Sequence, residues 1–203
     1  MRWAGLLLTG GTSRRLGQDK AGLRLIPGGP TLAEAGARIL AAETALALEV
    51  GPGWSGLPAV EESHEPQGPL VALAAGWRAL SAERSDCAGV VLLACDMPLV
   101  SGSILRWLVA HPTAGTVVPL AGTPPRAQPL CARWARDDLE RLADLVGAGE
   151  RSLRSLLDAA DVTYAPSDTW LPHAGPAGQN AFDDVDTPAA LARIRGRYAE
   201  SEP

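Results

Sequence analysis

Residues 4–20 read AGLLLTGGTSRRLGQDK, and no other stretch constrains the fold as tightly. A short apolar run that stops at Thr9-Gly10-Gly11 reads as a buried strand delivering a glycine loop, although periodicity alone leaves a helical segment open. The loop then carries Thr12, Ser13, Arg14, Arg15, Gly17, Asp19 and Lys20. Glycine permits positive φ and lets backbone N–H groups approach a ligand closely. Successive N–H groups in such a turn form an anion-binding concavity. Two arginines and a lysine bring the charge that phosphate oxygens need. One reading is a triphosphate-binding loop; the other is a solvated glycine turn with ordinary surface charges. The common P-loop is excluded because no Gly-Lys-Ser/Thr tripeptide occurs, and the strand is not followed by the Gly-x-Gly-x-x-Gly dinucleotide fingerprint.

The 203 residues suit one domain with a sizeable core, drawn here as residues 1–198 with a frayed tail at 199–203. A net charge of −5 offers no basic footprint for nucleic acid, so a local basic loop fits a small anionic ligand better. Asp96 interrupts the longest apolar run, so no membrane span is expected. Met1-Arg2-Trp3 leads straight into the first strand and leaves no room for a signal peptide, which makes the expected location cytoplasmic. Cys87, Cys95 and Cys131 lack metal-type spacing and read as buried reduced thiols. His64, His111 and His173 are far apart in sequence, which disfavours a histidine metal site or a Ser-His-Asp triad without excluding spatial clustering.

Downstream, strand and helix signals alternate. Thr31 caps a helix predicted over residues 32 to about 46, with Glu34 in its first turn. Strands are predicted at 46–50 and 57–60, and Pro69 opens a helix to about 80. Residues 89–94, the most apolar stretch, read as a strand buried on both faces. Helix 101 or 103 to 110, strand 116–120 and an extended segment at 126–132 follow. Then come helices over 134–146 and 152–157, a strand at 161–165 and a Pro/Gly-rich loop at 166–178. Thr187 and Pro188 start a last helix to about Arg197. This alternation argues an α/β fold with a predominantly parallel sheet and helices on both faces. Trp3, Trp77 and Trp107 are the expected core tryptophans.

The central strand ends in Cys95-Asp96-Met97-Pro98. A carboxylate there is costly unless solvated, paired or bound to a cation. Mg²⁺ suits such an oxygen and keeps waters and phosphate oxygens as its other ligands; the competing reading is an aspartate capping the next turn.

These motifs resemble those of the molybdenum cofactor guanylyltransferases. The first loop is similar to Leu-x-Gly-Gly-x-x-x-Arg-x-Gly-x-Asp-Lys, as Leu8, Gly10, Gly11, Arg14 or Arg15, Gly17, Asp19 and Lys20, with Thr9 where that family has alanine. Cys95-Asp96-Met97-Pro98 resembles its Cys-Asp-x-Pro, whose aspartate holds Mg²⁺ against the nucleotide. The segment from Glu62 to Leu70 resembles Asp-x-x-x-Gly-Pro-Leu, with Glu62 in place of the acid that contacts guanosine. Gln128-Pro129-Leu130 stands where many members have His-Pro-Thr, an active-site wall. Gly149-Glu150-Arg151 resembles a Gly-Glu-Arg segment near the pterin, so Arg151 and Arg154 are candidates to meet the second substrate, against an ordinary charged helix start. Residues 182–188 resemble Phe-x-Asn-x-Asn-Thr-Pro, with Asp184 and Asp186 replacing the asparagines. Either oxygen type ligates a hard cation, and Asp186 takes the second metal position; an acidic helix cap is the alternative.

The resemblance implies a Rossmann-like nucleotidyltransferase that joins GMP from GTP to molybdenum-molybdopterin and releases pyrophosphate. It implies Leu8, Thr9, Gly10, Gly11, Lys20, Glu62 and Asp96 at the nucleotide, Arg15, Lys20 and Asp96 in catalysis, and Mg²⁺ on Asp96 and Asp186. Cofactor-delivery or acceptor molybdoenzymes would be protein partners. Cytidylyl transfer, another phosphorylated acceptor such as a sugar phosphate or phospholactate, and a non-catalytic nucleotide-binding regulator are the competing expectations.

Overall fold

The computed structural model describes residues 2–11, 16–61, 67–84 and 86–201. The chain runs β1 (Arg2–Leu8), α1 (Leu32–Glu43), β2 (Ala47–Val50), β3 (Ala59–Val60), α2 (Pro69–Glu83), β4 (Cys87–Ala94) and α3 (Gly102–Ala110). It continues as β5 (Thr116–Ala121), β6 (Arg126–Ala127), β7 (Cys131–Ala135), α4 (Arg136–Leu139), α5 (Leu142–Gly147), α6 (Leu153–Ala159), β8 (Val162–Ala165), α7 (Ser167–Trp170) and α8 (Pro188–Ser201). The eight strands form one sheet in the order β3-β2-β1-β4-β7-β5-β6, with β8 on β5. β3, β2, β1 and β4 are mutually parallel, and β8 is parallel to β5. β7 runs antiparallel between β4 and β5.

The sheet is covered on both faces, as the apolar runs require. Trp3, Leu7, Val91 and Leu93 pack under α1 and α3 with Leu40, Ile104 and Leu108. Ala4, Leu6, Leu8, Val90 and Leu92 face the opposite way and pack under α2 with Leu73, Trp77 and Leu80. A third cluster joins Leu23, Leu32, Val185, Leu191 and Ile194 and docks α8 onto the segment that follows Lys20. α1 starts in a reciprocal capping box between Thr31 and Glu34. Among the described residues, no helix is long and apolar enough to cross a membrane.

The largest departure from expectation is residues 131–135, where the helix predicted from residue 134 gives way to β7, and the helix signal resumes as two short helices, α4 and α5. The reason is Arg133, which is 1% exposed in the middle of that strand. Its Nη1 donates to the carbonyls of Leu108 (2.9 Å) and His111 (3.1 Å), and its Nη2 to those of Thr113 (2.5 Å) and Gly115 (2.9 Å). The guanidinium therefore caps the C-terminal end of α3, where bare carbonyls favour a cation. It also lies 4.4 Å from the Trp3 ring centroid. Burial pushes its pKa down to about 10, so it stays charged at neutral pH.

Trp3 and Trp77 are buried as expected, whereas Trp107 is only partly covered; the fully enclosed tryptophans are Trp134 and Trp170. The predicted loop at 166–178 instead holds α7 and two 3₁₀ turns. The last helix continues past Arg197 to Ser201.

One glycine fixes the β4–β7 contact. Gly89 has φ +148°, and a Cβ there would lie 2.1 Å from the Trp134 carbonyl oxygen and 2.7 Å from the Trp3 ring. Gly89→Ala is expected to cost about 1–3 kcal/mol, read as a lower urea midpoint at unchanged slope.

Candidate active site

β1 and β4 end side by side, because Cys95 N–H donates to Leu8 O at 3.0 Å. Thr9-Gly10-Gly11 and Cys95-Asp96 thus leave the same sheet edge, the carboxyl edge where open α/β sheets bind ligands. Asp19 Oδ1 accepts from Ala21 N–H at 3.0 Å and shapes the turn that carries Lys20. The next residue, Ala21, is fully buried and its carbonyl accepts from Ala33 N–H at the start of α1. From the far end of the chain, Val185 N–H donates to Asp96 O at 2.9 Å, and its buried side chain is held in the third core cluster.

These anchors bring three predicted residues together. Lys20 Nζ donates to Asp96 Oδ2 at 2.9 Å and to Asp186 Oδ1 in a shorter contact. Burial lowers the affinity of Lys20 for its proton, but the hydrogen bonds and charges of Asp186 and Asp96 outweigh this and hold the ammonium above its ordinary pKa. Asp184, nearby, is raised by desolvation first and then by Asp186 and Asp96.

The second oxygen of Asp96, Oδ1, is buried without a hydrogen-bond partner. An orphaned carboxylate oxygen is unfavourable in the free protein and is the donor type a hard divalent cation takes. Among the described residues, no three His, Cys, Asp or Glu side chains group to hold a metal alone. The donor set therefore fits a cation that shares one or two carboxylates with phosphate oxygens and water, as Mg²⁺ does.

The remaining expectations are placed as follows. Arg15 and Glu62 lie outside the described residues, as does Arg14. Leu8 ends β1, Thr9, Gly10 and Gly11 start the loop at the edge, and Gly11 has φ +149°. Leu130 O accepts from Ala94 N–H at 2.9 Å, which sets residues 128–130 beside the end of β4. Arg151 donates to the carbonyls of Val146 and Glu150, and no described contact joins Arg151 or Arg154 to Lys20, Asp96 or Asp186. The backbone of Arg151 instead packs on the start of α2, where its carbonyl accepts from Leu70 N–H. All three cysteines are free and buried. Burial pushes Cys95 well above the ordinary thiol range and Cys131 up to about 12, so neither is a nucleophile. His111 and His173 each pack against the Trp107 ring, with ring centroids 5.5 and 6.3 Å away, and His64 lies outside the described residues.

Sequence reasoning passed over Glu49. This residue is 0% exposed in β2, yet charged. Oε1 accepts from Thr9 Oγ1 (2.5 Å), Gly53 N–H (2.9 Å) and Trp54 N–H (2.8 Å); Oε2 accepts from Ser55 N–H (2.7 Å) and Ser55 Oγ (2.5 Å). The available signal was an acid inside an apolar strand followed directly by Gly51-Pro52-Gly53. Burial pushes its pKa up, but the bonds from Ser55, Thr9 and Trp54 win and hold it below the usual carboxylate range. A lowered folded pKa gives stability that is full above the unfolded value, about 4.3, and is lost as pH falls through the folded one. Glu49→Gln is therefore expected to flatten the acid limb of the stability–pH curve, measured by urea unfolding between pH 3 and 6.

The profile of the MobA-like NTP transferase domain matches residues 5–164. A protein of Mycobacterium avium named probable molybdenum cofactor guanylyltransferase is 35% identical over 169 residues, covering 79% of this chain and 83% of its own. In fold, the chain is similar to molybdopterin-guanine dinucleotide biosynthesis protein A from Archaeoglobus fulgidus, with TM-score 0.79, 20% identity, and 97% and 99% of the two chains covered. It is also similar to a Mycobacterium tuberculosis protein crystallised as a manganese complex, with TM-score 0.60, 17% identity, and 97% and 99% covered.

Proposed function

Because the chain belongs to the MobA-like NTP transferase family, we propose that it transfers GMP from GTP to molybdenum-molybdopterin. The observation that carries this reading is the Lys20–Asp96–Asp186 cluster at the carboxyl edge, with Asp96 Oδ1 left unpartnered. The terminal phosphate oxygen of molybdopterin attacks the α-phosphorus of GTP. A new P–O bond forms there, the bond to the β-phosphate oxygen breaks, and pyrophosphate leaves with its electron pair. The nucleophile belongs to the substrate, which agrees with inert cysteines in the protein.

The protein's work is then positioning and charge. Backbone N–H groups of Gly10 and Gly11 receive the triphosphate. Lys20 exchanges a carboxylate for phosphate oxygens, and its firmly held proton keeps it cationic throughout. Asp96 and Asp186 would hold Mg²⁺, which supplies charge neutralisation on the triphosphate when bound. In the same reading Arg15 adds a second cation, Glu62 contacts the nucleoside, and Arg151 and Arg154 face the pterin substrate. The reaction belongs in the cytoplasm, with molybdoenzymes or their delivery proteins receiving the product.

The test is pyrophosphate release with Mg²⁺ and molybdopterin-loaded protein, comparing GTP with CTP, ATP and UTP. Release with GTP alone is expected; release with CTP alone would move the chain to cytidylyl transfer, and none with any nucleotide would overturn the enzyme reading. Lys20→Met is expected to raise the KM for GTP about 10- to 100-fold, the worth of one charge-assisted contact, with a smaller change in kcat. An unchanged KM would remove Lys20 from the triphosphate site.

A further inference from the structure

The Glu49 carboxylate touches nothing that reacts, yet it is the most heavily hydrogen-bonded acid among the described residues. Its five donors come from two segments. Thr9 belongs to the loop that leaves β1; Gly53, Trp54 and Ser55 belong to the turn after β2. The two segments are in close contact at Gly51, where a Cβ would lie 2.1 Å from Thr9 Oγ1 and 3.0 Å from Gly10 N. A third segment joins through Trp54. Trp54 is 44% exposed, and its ring lies on Gly22, where a Cβ would come 3.1 Å from the ring. Gly22 is two residues from Lys20, and that turn is fastened on its other side by Leu32 and Ala33 N–H donating to Leu23 O and Ala21 O.

We propose that Glu49 is a positioning residue for nucleotide binding, which sets the Thr9–Gly11 loop and, through Trp54, the Lys20 turn at fixed relative positions. The claim rests on the reading that GTP binds on that loop and that lysine. Glu49 is not a base reader, since its oxygens are already filled by protein donors. The chemistry requires a carboxylate: both ends of the side chain face donors, so a glutamine amide would turn its NH₂ toward N–H or O–H groups at one end. Thr9 matters for the same reason. It stands where the resembling family has alanine, and its hydroxyl links Glu49 to the glycine loop. Thr9 and Glu49 thus act as a pair, a second way of fixing a loop that a smaller residue would leave untied.

The experiment uses the full chain with Glu49→Gln, Trp54→Ala and the double variant. Binding of Mg-GTP is read by calorimetry, kcat and KM by pyrophosphate release, and order of the turns by amide hydrogen exchange. Thermal unfolding confirms that each variant is folded; if Glu49→Gln is not, Thr9→Val, which removes one of the five bonds, takes its place. Glu49→Gln is expected to weaken GTP binding about tenfold and raise KM alike, with kcat changed less. Exchange should rise both at residues 53–55 and at 19–22. Trp54→Ala should raise exchange at 19–22 only, and the double variant should bind GTP no more weakly than Glu49→Gln, because both cuts lie on one path. Wild-type GTP affinity in folded Glu49→Gln, unchanged exchange at 19–22, or additive losses in the double variant would each overturn the proposal. A wild-type chain that binds no GTP would instead strike at the functional reading, and the exchange arm would still decide whether Glu49 orders the Lys20 turn.

Discussion

Asp96→Asn is expected to lower turnover about 10³-fold, while the protein unfolds at the same temperature or higher. The two halves of this result have one origin. Asn keeps the volume and one acceptor oxygen, so the 2.9 Å contact with Lys20 survives in weakened form. The negative charge is lost, and with it the oxygen ligand that the proposed cation takes. In the free protein, however, Asp96 Oδ1 is buried without a partner, and Asp96 and Asp186 both contact Lys20. That is a local cost held for function, and removing it relieves the free state. Steady-state pyrophosphate release and a thermal melt, run on the same preparation, check both halves. A variant that retains wild-type turnover would remove Asp96 from the metal and phosphate chemistry. A large fall in melting temperature would make it a structural residue.

Arg133→Met is expected to do the reverse, losing about 3 kcal/mol or more of stability with GTP affinity unchanged where the protein remains folded. The methionine fills much of the space against Trp3 but leaves the carbonyls of Leu108, His111, Thr113 and Gly115 without their buried donor. Urea unfolding at neutral pH reads the loss. Near-wild-type stability would mean that water replaces the guanidinium at the end of α3.

These two residues also mark what could be read in the chain beforehand. Asp96 was legible because its setting is local: a doubly buried apolar strand can end in a carboxylate only for a reason. The same holds for the Gly-Gly turn and for Thr31 and Glu34, whose partners lie three residues apart. Arg133 was illegible because its four acceptors lie 18 to 25 positions upstream. A charged residue at the centre of 131–135 breaks the apolar run that marks a buried strand, so the helix signal of 136–146 spread backward over Trp134. Glu49 lay between the cases. Its loop partners are only four to six residues on, but a buried acid reads as a strand end until the returning N–H groups are seen. The closeness of Asp186 to Lys20 came from motif order rather than periodicity, since no local pattern reaches across 166 positions.

That last separation has a consequence for how the protein is made. A chain emerges from the ribosome N-terminus first, and its domains begin to fold as they appear. β1, β4 and α1 are all present long before residue 185, so Lys20 and Asp96 can pair while synthesis continues. Asp186 and the Val185 strap onto the Asp96 carbonyl come only afterward. Until then the nascent chain has its sheet and two of the three members of its charge cluster, with Leu23 and Leu32 waiting for Val185, Leu191 and Ile194. In the proposed reading, a complete site therefore waits on the segment around Val185 and Asp186 rather than on the strands that found it.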